Sequence, residues 1–275
     1  MGATRQSCGT SIAKRGPSIE FLLIGAIAFA ISVASGVLGL GGAVLLIPAY
    51  LYLPPVFGME ALDMKGISGM TSVQVLATSI AGMIMHRRKG AVNQSLVLAI
   101  GLPISFFSFA GAYFSRYVSS DSLLVVFAVM AVFGAILLLV HREDFLSTSA
   151  ELTFSKAGAI SVGSGVGILG GMVGAPGAFL LSPLMMTVLK IPTRITIGST
   201  LGIVVLSATA ASLGKILSEM VPYGYTATAV AGSVPGVLLG SILSHRFQTK
   251  TLRRALAIFI GLVGVEMCYR IFIHP

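Results

Sequence analysis

The sequence predicts an all-α polytopic membrane protein made of two homologous halves, and three observations carry that prediction. Only 10% of the 275 residues are charged and 55% are apolar, whereas soluble domains carry about 25% charged residues. Long charge-free stretches alternate with short polar ones. A thirteen-residue glycine-rich stretch also occurs twice, as Gly36-Val-Leu-Gly-Leu-Gly-Gly-Ala-Val-Leu-Leu-Ile-Pro48 and, 135 residues later, as Gly171-Met-Val-Gly-Ala-Pro-Gly-Ala-Phe-Leu-Leu-Ser-Pro183, with seven positions identical. The mean hydropathy of +0.96 makes lipid the solvent for most of the chain.

Residues 1–18 read as a polar tail with Arg5, Lys14, Arg15 and Pro17, without a cleavable signal. Phe21 to Met59 holds no charge in 39 residues. One straight helix of that length would reach roughly 58 Å, twice the hydrocarbon core of about 30 Å. The segment must break or turn, and Gly39, Gly41 and Gly42 are where it can. A second span, Gly66 to Met85, is rich in hydroxyls and amides (Ser68, Thr71, Ser72, Gln74, Thr78, Ser79) and ends on the basic run His86 to Lys89. Ala91 to Ser115 is a third span, kinked at Pro103, and Ser122 to Val140 is a plain fourth.

The second half repeats this order. Ala157 to Leu189 is charge-free, too long for one span, and interrupted at Gly170, Gly171, Gly174, Pro176 and Gly177. Ile195 to Gly214 carries Ser199, Thr200, Ser207, Thr209 and Ser212. Met220 to Ser244 is kinked at Pro235, a basic loop follows with Arg246, Lys250, Arg253 and Arg254, and Ala255 to Tyr269 closes the set. The predicted units are therefore the tail (1–18), a first repeat (19–141), a linker (142–156) and a second repeat (157–272). Beyond the glycine stretch, an offset of 131 pairs Ser68 with Ser199 and Thr78 with Thr209. If each long segment enters and returns, both basic loops face the cytoplasm and the repeats are inverted; if each crosses once, the basic loops fall on opposite sides, against the positive-inside rule. The first arrangement is the expected one, although it places the basic tail outside.

Helix breaks at membrane depth free backbone N–H groups at the positive end of a helix dipole. Glycines there let a bulky oxyanion approach. Gly39, Gly41, Gly42, Gly174 and Gly177 are therefore candidate substrate-binding positions, facing each other across a common midplane. Ser68, Gln74, Ser199 and Thr200 are candidate side-chain donors. Singly, such hydroxyls tend to bond their own helix, and paired glycines also serve close helix packing. The freed carbonyls suit a cation equally well. Lys215 and Glu266 are charged but lie near span ends, where snorkelling accounts for them. Lys65 and Arg194 read as interfacial anchors.

Other chemistry finds little support. The net charge of +9 sits in short loops, not on a nucleic-acid surface. Cys8 and Cys268 make neither a disulfide framework nor a metal site. No catalytic triad, no metal-ligand spacing and no phosphate-binding loop is present, so neither an enzyme nor a cofactor is expected.

The G-x-G-G-x-x-x-x-P form from Gly39 to Pro48, its second copy ending at Pro183, the following Arg194-x-x-x-Gly198-Ser199-Thr200 and the duplicated layout resemble the sulfite exporter TauE/SafE family, also called the toluenesulfonate uptake permease family. The resemblance spans residues 19 to 272. It implies an inner-membrane protein of about 7–9 spans that moves sulfur oxyanions or organosulfonates; alternating access, with the solute bound between the two glycine-rich breaks, is the expected mechanism. Pro176, where the first copy has Gly41, departs from the pattern. The expected partners are a small anionic solute and the lipid bilayer, with homo-oligomerisation left open and nucleic acid excluded. A channel-like facilitator of the same fold, or an accessory scaffold without transport, are the alternatives.

Overall fold

The computed structural model describes residues 17–38, 43–86, 94–140, 155–175, 178–191 and 193–243. Within them the chain forms nine α-helices: α1 (Pro17–Leu38), α2 (Ala43–Val56), α3 (Met64–His86), α4 (Gln94–Phe114), α5 (Ser120–Val140), α6 (Lys156–Val173), α7 (Ala178–Thr187), α8 (Thr193–Leu217) and α9 (Tyr223–Leu243). Six of them are long and apolar enough to cross a membrane, and α2 and α6 are shorter apolar helices. The stretch 255–269, expected as a last span, lies outside the described residues. Large apolar side chains such as Leu22, Leu102, Phe106, Val129, Phe133 and Leu239 face outward, as a lipid solvent demands, while serine, threonine and glutamine are taken inside.

Both long charge-free segments divide where the glycines stand, into α1 and α2 in the first half and α6 and α7 in the second. The α6 end is visible in detail. Ser155 caps its start, accepting from the Gly158 N–H at 3.2 Å. Gly174 ends it at φ +80, a left-handed conformation that costs a side-chain-bearing residue about 1–2 kcal/mol. The Gly174 and Ala175 N–H groups turn back to the carbonyls of Gly171 and Gly170 at 3.4 and 2.9 Å.

The halves are exchanged rather than side by side. The most extensive packing in the molecule joins α1 to α9, and its counterpart joins α6 to α4; α4 also packs along α8, and α3 along α8 and α9. The register fixes the directions. Gly25 faces Thr228, Phe29 faces Gly236 and Val33 faces Gly240, so α1 and α9 run the same way. Ile100 faces Gly163, Ile104 faces Gly167 and Ser108 faces Gly171, so α4 and α6 also run together, and α8 runs with them because Val97 faces Gly202 and Phe109 faces Gly214. Gly66 lies against Pro222 and Gln74 bonds Ser233, which sets α3 parallel to α9. Leu201 lies against Gly82 while Lys215 bonds Ser68, so α3 and α8 are antiparallel. Helices α1, α3 and α9 thus point one way and α4, α6 and α8 the other.

Two consequences follow for the broken segments. α1 and α3 are parallel, so the chain between them must come back through α2; α7 plays that part between α6 and α8. The helix ends leading into the basic stretches, His86 of α3 and Leu243 of α9, lie on one face of the bundle. The basic residues themselves lie outside the described residues.

Candidate functional site

The α3–α8 axis carries buried polar groups at three depths. At mid-depth Gln74, fully buried, accepts from the Tyr50 hydroxyl at 3.1 Å and donates through Nε2 to Ser233 Oγ. Ser233 in turn donates to the Ala229 carbonyl at 2.5 Å. A tyrosine and a glutamine inside an apolar bundle each need a partner, and α2, α3 and α9 supply them to one another. Toward the face where α3 ends, Ser199 and Thr200 of α8 are buried, with Thr200 Oγ1 at 3.7 Å from Met185 Sδ. Toward the opposite face Ser68 is fully buried, and its hydroxyl donates to the Lys65 carbonyl at 2.8 Å.

Ser68 and Ser199, matched in the repeat, do not come together. Lys215 marks the level of Ser68 on α8, and the sixteen residues from Ser199 to Lys215 measure about 24 Å along a helix. Gln74 lies between these levels, about 9 Å from Ser68 by the same rise. The helix ends at the two breaks are likewise apart: the α1 end packs on the α9 end near Gly240, whereas the α6 end packs on the start of α3. Of the candidate glycines, Gly39, Gly41, Gly42 and Gly177 lie outside the described residues. Gly174 sits so close to the Ser68 carbonyl that no Cβ would fit, and its N–H is spent in the helix cap.

Most of the hydroxyl row is also spent locally. Thr71 donates to Ile67, Ser72 to Ser68 and Thr78 to Gln74, at 2.8, 2.8 and 2.9 Å, each to a carbonyl of its own helix. Thr209 does the same to Val205 at 2.7 Å. The motif glycines Gly36 and Gly171 serve packing: each presses on the backbone of the other half's proline-containing helix, Gly36 at Val237 and Gly171 at Ser108.

Lys215 corrects the sequence reading most sharply. It does not snorkel. It is fully buried, and Nζ donates to Ser68 Oγ at 2.8 Å, Ser115 Oγ at 2.7 Å and the Met172 carbonyl at 2.8 Å. Glu219, four residues on in the sequence, is not its partner. That residue lies past the helix end at φ +57 and is exposed. Nearby, Lys65 donates to the Arg116 carbonyl at 3.1 Å, and the Arg116 guanidinium lies over the Tyr113 and Tyr117 rings at 4.3 and 4.5 Å. Among the described residues no three metal-ligating side chains converge.

Chain breaks inside lipid persist only where protein or a polar passage takes up the freed groups. Here both broken segments flank a buried polar axis shared by two exchanged halves, the build of a multi-pass membrane transporter. Family comparison agrees: residues 24–267 match the model described as sulfite exporter TauE/SafE, and the chain belongs to that family. It is similar to the probable membrane transporter protein YunE of Bacillus subtilis (strain 168), with 21% identity over 91% of this chain and 98% of that one. YdhB of the same strain, also named a probable membrane transporter protein, is 23% identical over 90% of this chain and 100% of its own length. A probable membrane transporter protein of Xylella fastidiosa (strain 9a5c) is 25% identical over 86% and 90%. No solved structure matches the chain significantly.

Proposed function

We propose that this transporter carries a small sulfur oxyanion, sulfite or an organosulfonate, across the inner membrane by alternating access between inverted repeats. The observation that supports this most is the opposed run of matched helices: α1, α3 and α9 point one way, while their partners in the repeat, α6, α8 and α4, point the other. Such a pair of repeats can exchange conformations and so expose one passage to either side in turn. The bodies that move are then not the sequence halves, which are interlocked. They are the parallel trios α1–α3–α9 and α4–α6–α8.

The solute would pass the three depths in turn: Ser199 and Thr200 on the face where α1 ends, then Gln74, then Ser68 on the face where α6 ends. The face where α3 and α9 end leads into the basic stretches and is the cytoplasmic one on the positive-inside rule. The family description supports sulfite as cargo and export as direction. Flux of labelled sulfite, methanesulfonate and chloride in proteoliposomes tests the reading. Saturable sulfite or sulfonate movement with counterflow is the expected result; movement of neither sulfur anion above empty vesicles would sink it.

A further inference from the structure

We propose that Lys215 is a proton-operated latch, the residue through which pH gates one face of this transporter. The proposal rests on the alternating-access reading above, and on a hydrogen count. An ammonium has three N–H donors and no acceptor. Lys215 Nζ uses all three, on Ser68 Oγ of α3, Ser115 Oγ just beyond α4 and the Met172 carbonyl in the last turn of α6. The two serines have their own hydrogens committed elsewhere, Ser68 to the Lys65 carbonyl and Ser115 to the Ala112 carbonyl, so both meet the lysine as acceptors. A neutral amine keeps only two N–H groups, and its lone pair can be met only if a serine turns its hydroxyl away from its own helix carbonyl, so at least one hydrogen bond of the set is lost.

The surroundings pull both ways on the charge. Helices α4, α6 and α8 are parallel and all end here, so their negative dipole ends favour the ammonium, while the start of α3 and the Lys65 cation oppose it. The charged groups on the packed elements are Lys65 on α3, Arg116 after α4 and Glu219 after α8; Met172 of α6 offers its carbonyl, and Met220, ahead of α9, only its sulfur, to Ser115 at 3.5 Å. Glu219 is exposed, and among the described residues no carboxylate pairs with Lys215. The oxygen cage around Nζ is the kind that broken helices offer a coupling cation, and the chain fills it with a cation of its own.

The latch crosses the moving parts. Ser68 belongs to the α1–α3–α9 trio, and Lys215, Ser115 and Met172 to the other. The protonated lysine ties this face shut against the second break. When its N–H bond breaks, the proton passes to water on that face, at least one tie is lost, and the trios separate there. Reprotonation from the same side closes it again.

Hydrogen exchange of the full chain in lipid nanodiscs, corrected for the intrinsic effect of pH, tests this without knowledge of the cargo. In the wild type, exchange at the start of α3 and the end of α6 is expected to rise about tenfold from acid to alkaline pH, the effect of one lost charge-assisted tie. Lys215→Arg keeps a permanent charge, and its exchange is expected to be independent of pH. Ser115→Ala, a small change that leaves the lysine in place, is expected to open the face at lower pH than the wild type. A wild type whose exchange does not change with pH, or a Lys215→Arg variant that follows the wild-type curve, overturns the latch. A Lys215-dependent curve in a protein that moves no sulfur anion keeps the latch and rejects the cargo.

Discussion

The end of α6 and the end of α1 are matched places in the two repeats, and they share packing but not chemistry. Gly171 and Gly36 both press on the backbone of the other half's proline-containing helix. Around the α6 end, however, a buried lysine gathers four elements, whereas the position that matches Lys215 at the offset of 131 is Ile84, 67% exposed to the surroundings of the bundle. At mid-depth the same contrast recurs: Gln74 matches Val205, and Tyr50 matches Met185 at the offset of the glycine stretch. The two matched ends share a backbone interlock and carry different polar groups. A molecule with matched backbones and unmatched ties can have two faces that open under different controls.

The comparison can be broken most readily at the lysine. Lys215→Met is expected to lower solute flux in proteoliposomes by about tenfold or more, while Ile84→Gln at the matched place leaves flux unchanged; equal losses would show that the two faces are governed alike. Gly174→Ala comes next. It combines a left-handed backbone with a collision at the Ser68 carbonyl, and a loss of about 3 kcal/mol or more in thermal or denaturant unfolding is expected. Gly58, at φ +77 with open space around it, is its control, and Gly58→Ala is expected to cost only about 1 kcal/mol. Gln74→Leu strips the Tyr50 hydroxyl of its acceptor and is expected to cost about 1–3 kcal/mol, against less than about 0.5 kcal/mol for Val205→Leu on the matched, half-buried position. The smallest effect is a difference: Gly36→Ala and Gly171→Ala should destabilise by amounts within about 0.5 kcal/mol of each other. A wide gap would mean that the matched glycines do unmatched work.

The fold was legible where chain length met membrane thickness. The 39 charge-free residues from Phe21 to Met59 could not be one helix, and the break stands at the glycines for that reason. Pro103 and Pro235 lie inside helices α4 and α9, and the hydroxyl-rich spans are α3 and α8, as their sequences suggested. The exchange of partners was not legible, because a repeat in sequence shows which elements match and not which ones touch. α1 meets α9 across the whole length of the chain. The same gap hid the lysine: Lys215 is near a helix end by residue count, and its burial depends on four elements from both halves meeting there. Ser68, Gln74, Ser199 and Thr200 were readable as buried polar residues from their position in otherwise apolar spans. Their separation into three depths required the antiparallel register of α3 and α8.

The interlock of α1 with α9 also sets a timetable for biogenesis. Some 185 residues separate the end of α1 from the start of α9, and at about 5–20 residues per second a ribosome needs roughly 10–40 s to cover them. Throughout that interval α1 has reached the bilayer without the helix that covers Ser32, Gly25 and Gly36. The insertion machinery must hold an unfinished surface until about the final fifth of the chain emerges, and a chain arrested before Tyr223 would present that surface to other membrane proteins.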